Sequence, residues 1–558
     1  MARTWSLAPE LYASADTDTD RLWMQRMREQ DREPSSTDSA KPRFTLVVGP
    51  SPFSMPRGWE FFLTSPYEGA TYIATVLLNA GYAVRIVDVR YDPTPLQTAY
   101  REIMQGTDVL GIATFEDNFP WVKELIDHVK FAQPKMPVIC GGSLVTSVPH
   151  IFMAHTQMDI GVISEGEITI LELMESYTRG AWAEELPQIR GIVYRAEDGE
   201  VIRTGPRGQM PDLDSLPRMR LDLWPQFHAP QGLQPQIISS YSRGCKMDCS
   251  FCYRTTPQVR AKSPQKLEED VLWLKERYGT EFIFFVDLTF TAIKKQTLEN
   301  MDVLKGKGIR WTCLTRCADV DSERLVAMKD AGCDIALYGV ESLGGDILKE
   351  ARKGNTENIT VRAMHNTWDA GVRFGALLIV GLPGETAESL DHVCKWAEEH
   401  NHVTRVKYLS AMPGTTVYQQ GVRDGIIKSE LDHLNWLSIE QALVEDEFLN
   451  YNGLPERVCR EAYQRIYDAY EPGPVMDFTH WPEHFLYHHG NADDATARST
   501  DYAGAGWRKE FSSASPHLIP GSERFTLDAC GTAAMAAAGS RTMVSGARAL
   551  GDSGLAAR

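Results

Sequence analysis

Short apolar runs alternate with amphipathic helical stretches twice along this chain, and that alternation limits its fold more than any other feature. Between Phe44 and about Thr178 the runs TLVVG, AVRIVDV, LGIATF, PVICGG and IGVIS are separated by helical patterns such as YIATVLLNAGY and WVKELIDHVKF. Strands separated by helices line up in parallel, with the helices covering the sheet, so a doubly wound α/β domain is expected. Such sheets take ligands at the carboxyl ends of their strands. The candidate loops there are 50–59, 114–118 (TFEDN), 141–146 (GGSLVT) and 164–167 (SEGE). From IISSYSRG onward the alternation resumes through FIFFVD, IRWTCLTR, IALYGVES, FGALLIVGLP and RVKYLSA. Six strand–helix units make a partial (β/α)6 barrel, with its chemistry again at the carboxyl-terminal strand ends.

At 558 residues, 43% hydrophobic and 24% charged, the chain is globular and too long for one core. The sequence divides into a polar lead-in (1–40), a Rossmann-like domain (41–185), a hairpin and Pro-rich linker (186–231), the partial barrel (232–430), a helical region (431–490) and a tail expected to be disordered (491–558). The Asp-Gly turn of EDGE, between IRGIVYR and VIRTG, signals the hairpin. A formal charge of −18 and the lack of a basic, aromatic-interleaved run argue against nucleic acid as a partner. No apolar stretch reaches the ~20 residues that a membrane span needs, and the N-terminus lacks a signal-peptide core, so a cytoplasmic protein without a membrane partner is expected. The cysteines outside one cluster are scattered in apolar surroundings, which suits a reducing compartment.

That cluster is Cys245, Cys249 and Cys252 in SRGCKMDCSFCYR. Thiolates are the soft ligands of iron–sulfur clusters, and three on a short irregular loop can hold three irons of a 4Fe-4S cubane and leave the fourth open. A structural zinc site would want four ligands, and no second CxxC or nearby His pair follows.

CxxxCxxC with Phe251 before its last cysteine resembles the signature of the radical S-adenosylmethionine (SAM) superfamily. There the open iron chelates SAM, and an electron from the cluster cleaves the sulfonium to a 5'-deoxyadenosyl radical. No GxGxxG follows any strand of the first domain, so a dinucleotide lacks its phosphate turn. The first domain instead resembles the cobalamin-binding domain of the cobalamin-dependent branch of that superfamily. The resemblance implies cobalamin contacts from Thr114, Glu116, Gly141, Gly142 and Ser143, and from Glu165, Gly166 and Glu167 in a GEGE-like turn. Arg57, Trp59 or another residue of the first loop would lie near cobalt. Residues 41–180 hold no DxHxxG, so cobalt would have no protein histidine, and Asp127-His128 falls on a solvated helix face.

In the barrel, polar residues close successive strands: Asp287 the second, Arg316 the third, Glu341 and Ser342 the fourth, and Gly381 to Glu385 (GLPGE) follow the fifth. GVES and GLPGET resemble motifs of the same branch. They imply that Phe251, Arg316, Glu341, Ser342, Gly381, Gly384 and Glu385 contact SAM, with the Arg316 fork on the methionine carboxylate. Asp287 is the candidate catalytic side chain, although relatives carry two acidic residues where this chain has Asp287-Leu288.

The resemblance implies a methyltransferase for a small-molecule or carrier-bound substrate, served by an external electron donor such as flavodoxin or ferredoxin. A carbon centre without acidity or nucleophilicity cannot take a methyl cation, but a radical at that carbon can take a methyl from cobalamin. Antibiotic and other specialised-metabolite pathways are where such enzymes often act; a cyclase or rearrangement enzyme is the alternative. His480, Trp481, His484, His488 and His489 suggest an aromatic cap over the substrate.

Overall fold

The computed structural model describes residues 17–31, 37–50, 65–90, 92–115, 118–228, 237–253, 258–400, 402–437 and 450–469. Arg57, Trp59, Glu116, the His480–His489 group and the 491–558 tail lie outside them.

The first sheet has seven strands: β1 (Phe44–Val48), β2 (Val84–Asp88), β3 (Val109–Thr114), β4 (Val138–Gly142), β5 (Ile160–Val162), β6 (Ile192–Arg195) and β7 (Val201–Arg203). Their order is β2-β1-β3-β4-β5-β6-β7. The first five are parallel. Every residue of β1 and β3 is buried, as central strands covered by helices on both faces must be. The strand order reverses at β1, which opens the ligand crevice of such sheets at the carboxyl edge between β1 and β3.

Two expectations are corrected here. The hairpin assigned to the connector belongs to the first sheet: β6 pairs antiparallel with the free edge of β5, Ile160 opposite Tyr194, and β7 pairs with β6. Ile192, Val193 and Tyr194 are all buried, so the hairpin covers an otherwise open edge. Part of the polar lead-in is also packed. A helix over Asp18–Gln30 starts with a Thr17–Asp20 capping box and buries Trp23, Met24 and Met27. Asp20 accepts from Arg207 at 2.7 Å, and the Trp23 indole donates to Glu172 at 3.0 Å.

The second sheet contains β8 (Ile237–Ser239), β11 (Phe282–Phe285), β12 (Arg310–Thr315), β13 (Cys333–Glu341), β14 (Arg373–Val380) and β15 (Val403–Tyr408). All six are parallel and lie in chain order, an open six-stranded barrel. A two-stranded ribbon of β9 (Ser242–Arg243) and β10 (Arg260–Ala261) flanks its first strand. Phe285, Phe290 and Trp311 pack in one core with Leu274, Met301 and Leu325 of the surrounding helices, with Trp311 4.9 Å from Phe290 and 5.7 Å from Phe285.

The two halves are packed together. Trp224 of the linker is fully buried and donates to Thr71 at 2.9 Å. Glu68 accepts from the Ser240 backbone at 3.0 Å and its hydroxyl at 2.7 Å. The helix Glu430–Leu437 returns to the first domain and adds Leu434 and Leu437 to its core. The helix Glu456–Asp468 closes the barrel edge, with Tyr463 stacked on Tyr408 at 4.5 Å.

Candidate active site

Cys245, Cys249 and Cys252 lie on the loop after β9, at the carboxyl-terminal mouth of the barrel. Gly244, with φ +92°, makes the turn into it. The backbone of Ser250 donates to Ala351 at 3.0 Å, and that of Cys252 to Cys249 at 3.1 Å, which fixes the loop. None of the three is in a disulfide, and all three are half-buried. Burial pushes the Cys252 thiol up to about 12, and Cys249 and Cys245 push the same way. Neighbouring thiols on one loop are what a metal centre turns into thiolates. Among the described residues no three His, Cys, Asp or Glu side chains meet closely enough for one ion. A cubane needs no such focus, because each thiolate binds its own iron, so the donor set fits the cluster.

Asp287 follows the end of β11 beside this loop. Its Oδ1 accepts from the Ser242 backbone at 2.6 Å and from the Ser242 hydroxyl at 2.5 Å, bracing the strand that leads to Cys245. Its Oδ2 is buried without a partner, and burial raises the carboxyl to about 7.

Glu341 projects from a bulge in β13, where the register with β14 shifts between Gly339 and Glu341, and it holds a left-handed φ of +66°. Its Oε1 accepts from the buried Lys353 ammonium at 2.7 Å. Burial lowers the pKa of that ammonium, but Glu341 outweighs the effect and holds it above the usual lysine value. A Cβ on Gly339 would lie 2.5 Å from Glu341 Oε1 and 2.7 Å from Lys353 Nζ, so the pair depends on that glycine. Lys353 also sits 5.8 Å over the Phe251 ring. Ser342 accepts from the Gly344 backbone at 3.3 Å.

Arg316 is held within the protein. Its guanidinium donates to Asp319 at 2.9 Å and to the Lys353 carbonyl at 2.8 Å. Only Nε is buried without a partner, so the fork expected for a carboxylate is largely committed to this turn. Glu385 closes its own loop, accepting from the Gly381 backbone at 2.7 Å and Asn452 at 3.2 Å, and burial raises it to about 7. Gly381 and Gly384 have φ of +102° and +81°, the turn that GLPGE requires. The unpaired buried Arg316 Nε and Asp287 Oδ2, at the strand ends around the cysteines, fit a polar ligand such as SAM.

In the first domain the ends of β3 and β4 are fitted closely. Thr114 Oγ1 donates to the Gly141 carbonyl at 3.0 Å and accepts from the Val145 backbone at 3.3 Å. Gly142 has φ +119°, and a Cβ there would lie 2.3 Å from the Thr114 carbonyl oxygen. A Cβ on Gly141 would meet nothing nearer than 3.8 Å, so this strand end presents bare backbone to the crevice. Ser143 Oγ, next along, is buried without a partner. A ridge free of side chains beside an orphaned hydroxyl fits a large ligand with a polar tail, as cobalamin is.

Glu165 and Glu167 face the barrel. Glu165 accepts from Arg260 at 2.6 and 3.0 Å and from the Met210 backbone at 2.7 Å, and pairs with Arg243 at 3.2 Å. Glu167 pairs with Arg243 at 2.6 Å. Burial raises the Glu165 carboxyl, but Arg243 and Arg260 outweigh it and hold the group low. Arg243 and Arg260 are cross-strand partners, and like charges so placed repel unless carboxylates lie between them. This turn is therefore a joint between domains, where the resemblance implied cobalamin contacts. Gly166 lets it pack, since a Cβ there would meet Ile73 at 3.0 Å.

Sequence reasoning missed Lys353, Gly339, Arg243, Arg260 and Tyr253. The phenol of Tyr253, directly after Cys252, donates to the Ser143 carbonyl and accepts from Ser147 Oγ at 2.5 Å. The aromatic following a CxxxCxxC loop was the one available signal.

Comparison with known proteins gives the same two modules in the same order. The B12 binding domain matches residues 64–174 and the radical SAM superfamily residues 239–397. An uncharacterized methyltransferase of Pyrococcus horikoshii is 26% identical over 381 residues, 67% of this chain and 81% of the relative. The anaerobic magnesium-protoporphyrin IX monomethyl ester cyclase of Rubrivivax gelatinosus is 26% identical over 346 residues, 60% of this chain and 62% of the relative. The solved structure of the radical SAM methyltransferase TsrM from Kitasatospora setae, with cobalamin and a 4Fe-4S cluster bound, superposes with a TM-score of 0.54 at 16% identity, covering 69% of this chain and 79% of that one. That likeness shows the fold. A B12-binding domain thus stands ahead of a radical SAM domain in this chain, with the cysteine loop at the mouth of the second.

Proposed function

We propose that this enzyme transfers a methyl group from SAM, by way of cobalamin, to an unactivated centre of a small molecule in specialised metabolism such as antibiotic biosynthesis. The observation that supports it most is the direct bonding of Tyr253, on the cysteine loop, to Ser143 and Ser147, on the short helix that follows the bare Gly141–Gly142 ridge. A radical generator and a methyl carrier are useful to each other only when both face one substrate. When bound, the cluster supplies the electron that opens the sulfonium of SAM, and cobalamin supplies the methyl.

The protein's own part is placement. Cys245, Cys249 and Cys252 bind the cluster; Asp287 and Ser242 hold the strand that carries them. Glu341, fixed by Lys353, and Ser342 face SAM at the end of β13. Gly141, Gly142 and Ser143 receive cobalamin at the carboxyl edge of the first sheet. The radical step needs no general base, in keeping with side chains that position rather than move protons. The electron comes from an external low-potential donor such as a flavodoxin or ferredoxin, and the substrate is free or carrier-bound. The free cysteines suit a cytoplasmic setting, and no described helix is long and apolar enough to cross a membrane.

Methyl-labelled SAM tests the reading. Labelled product together with deoxyadenosine and S-adenosylhomocysteine supports methyl transfer. Deoxyadenosine with unlabelled product overturns it in favour of cyclisation or rearrangement.

A further inference from the structure

We infer that Tyr253 is a positioning residue: it pins the cluster loop to the cobalamin loop and so sets the distance between the two cofactors. This rests on the reading of those loops as cofactor sites.

The cysteine loop is tied to the first domain at both ends. At its start Arg243, two residues before Cys245, is gripped by Glu167 at 2.6 Å and Glu165 at 3.2 Å on the turn after β5. At its end Tyr253, next to Cys252, bonds Ser143 and Ser147 on the short helix after β4. The second anchor is stiff. Thr146 Oγ1 donates to the Gly142 carbonyl at 2.8 Å and accepts from the Ser164 backbone at 3.0 Å. Ser147 Oγ is also 3.0 Å from the Ser143 carbonyl. A phenol carries little rotational freedom, and here both its donor and its acceptor capacity are used. The Ser250–Ala351 backbone bond holds the loop within the barrel, and the Tyr253 contact ties its far end to the first domain. A merely structural tyrosine would need only its ring.

The test uses full-length protein loaded with iron, sulfide and hydroxocobalamin, then reduced so that cluster and cobalt are both paramagnetic. Pulsed EPR reports the spread of their separation without reference to methyl transfer. In Tyr253→Phe the ring stays and two hydrogen bonds are lost, each shifting the tethered population by roughly threefold to tenfold. Iron and cobalt contents should hold while the distance distribution broadens. Deoxyadenosine formed per methyl transferred should rise by the same factor. Ser147→Ala, outside the cysteine loop, should change both in the same direction by less, and it decides the matter if Tyr253→Phe fails to take up iron. Distributions unchanged from wild type in the loaded variants overturn the tether. Absence of any cobalamin signal in the wild type overturns the reading of the site, and the tether with it.

Discussion

Replacing Asp287 by Asn should flatten part of the enzyme's pH–stability profile and make it more stable in alkali. Burial raises this carboxyl from 3.8 to about 7, with Oδ1 bonded to Ser242 and Oδ2 bonded to nothing. The folded value lies above the unfolded one. Between about pH 4 and pH 7 the fold therefore keeps a proton that the unfolded chain has released, so each unit of rising pH costs about 1.4 kcal/mol. Above about pH 7 the full penalty of about 4 kcal/mol is in force. Asn keeps an acceptor for Ser242 but places an unpaired amide where Oδ2 was, at a cost of about 1–3 kcal/mol. Asp287→Asn should gain about 1–3 kcal/mol near pH 8 and come close to neutral near pH 5.5, in urea unfolding of the cofactor-free protein. Glu385, raised to about 7 by burial, slopes both profiles alike, so the difference between the two curves carries the test. Parallel profiles for wild type and Asp287→Asn would refute the reasoning.

Gly142→Ala should weaken cobalamin retention about tenfold or more in equilibrium dialysis and leave iron content intact, because its Cβ would sit 2.3 Å from the Thr114 carbonyl at φ +119°. Gly339→Ala should split the Glu341–Lys353 pair, at a cost of about 3–5 kcal/mol, and abolish the SAM-induced change in the cluster EPR spectrum while the cluster itself assembles. Glu165→Gln, which leaves Arg243 and Arg260 under-compensated, should cost a similar ~3–5 kcal/mol. Limited proteolysis should then cut between the domains well before it cuts wild type.

The two sheets were legible because buried parallel strands such as FIFF and TLVV read as unbroken apolar runs bounded by turns. The three cysteines were legible as a candidate donor set because all three lie on one loop. The lead-in helix was hidden by the polar residues around it, although Thr17, Asp20, Trp23, Met24 and Met27 form a cap followed by an apolar stripe. The ion pairs of the SEGE turn were not legible for a physical reason: the partner of Glu167 is 76 residues away, and spacing along the chain carries no trace of it. Arg316 likewise had a carboxylate three residues on, Asp319, and the turn that joins them is set only by the tertiary fold. Gly339 owes its importance to a register shift in β13, and strand register is not written in local sequence.

Anaerobic reconstitution with iron, sulfide and hydroxocobalamin, followed by metal counts on the wild type and on the Cys245→Ala, Cys249→Ala, Cys252→Ala triple variant, tests the two-cofactor account most directly. The account predicts about four irons and one cobalt per wild-type chain, and a variant that loses its iron but keeps its cobalamin. A wild type that holds iron without cobalamin, or a triple variant that keeps its iron, would contradict it.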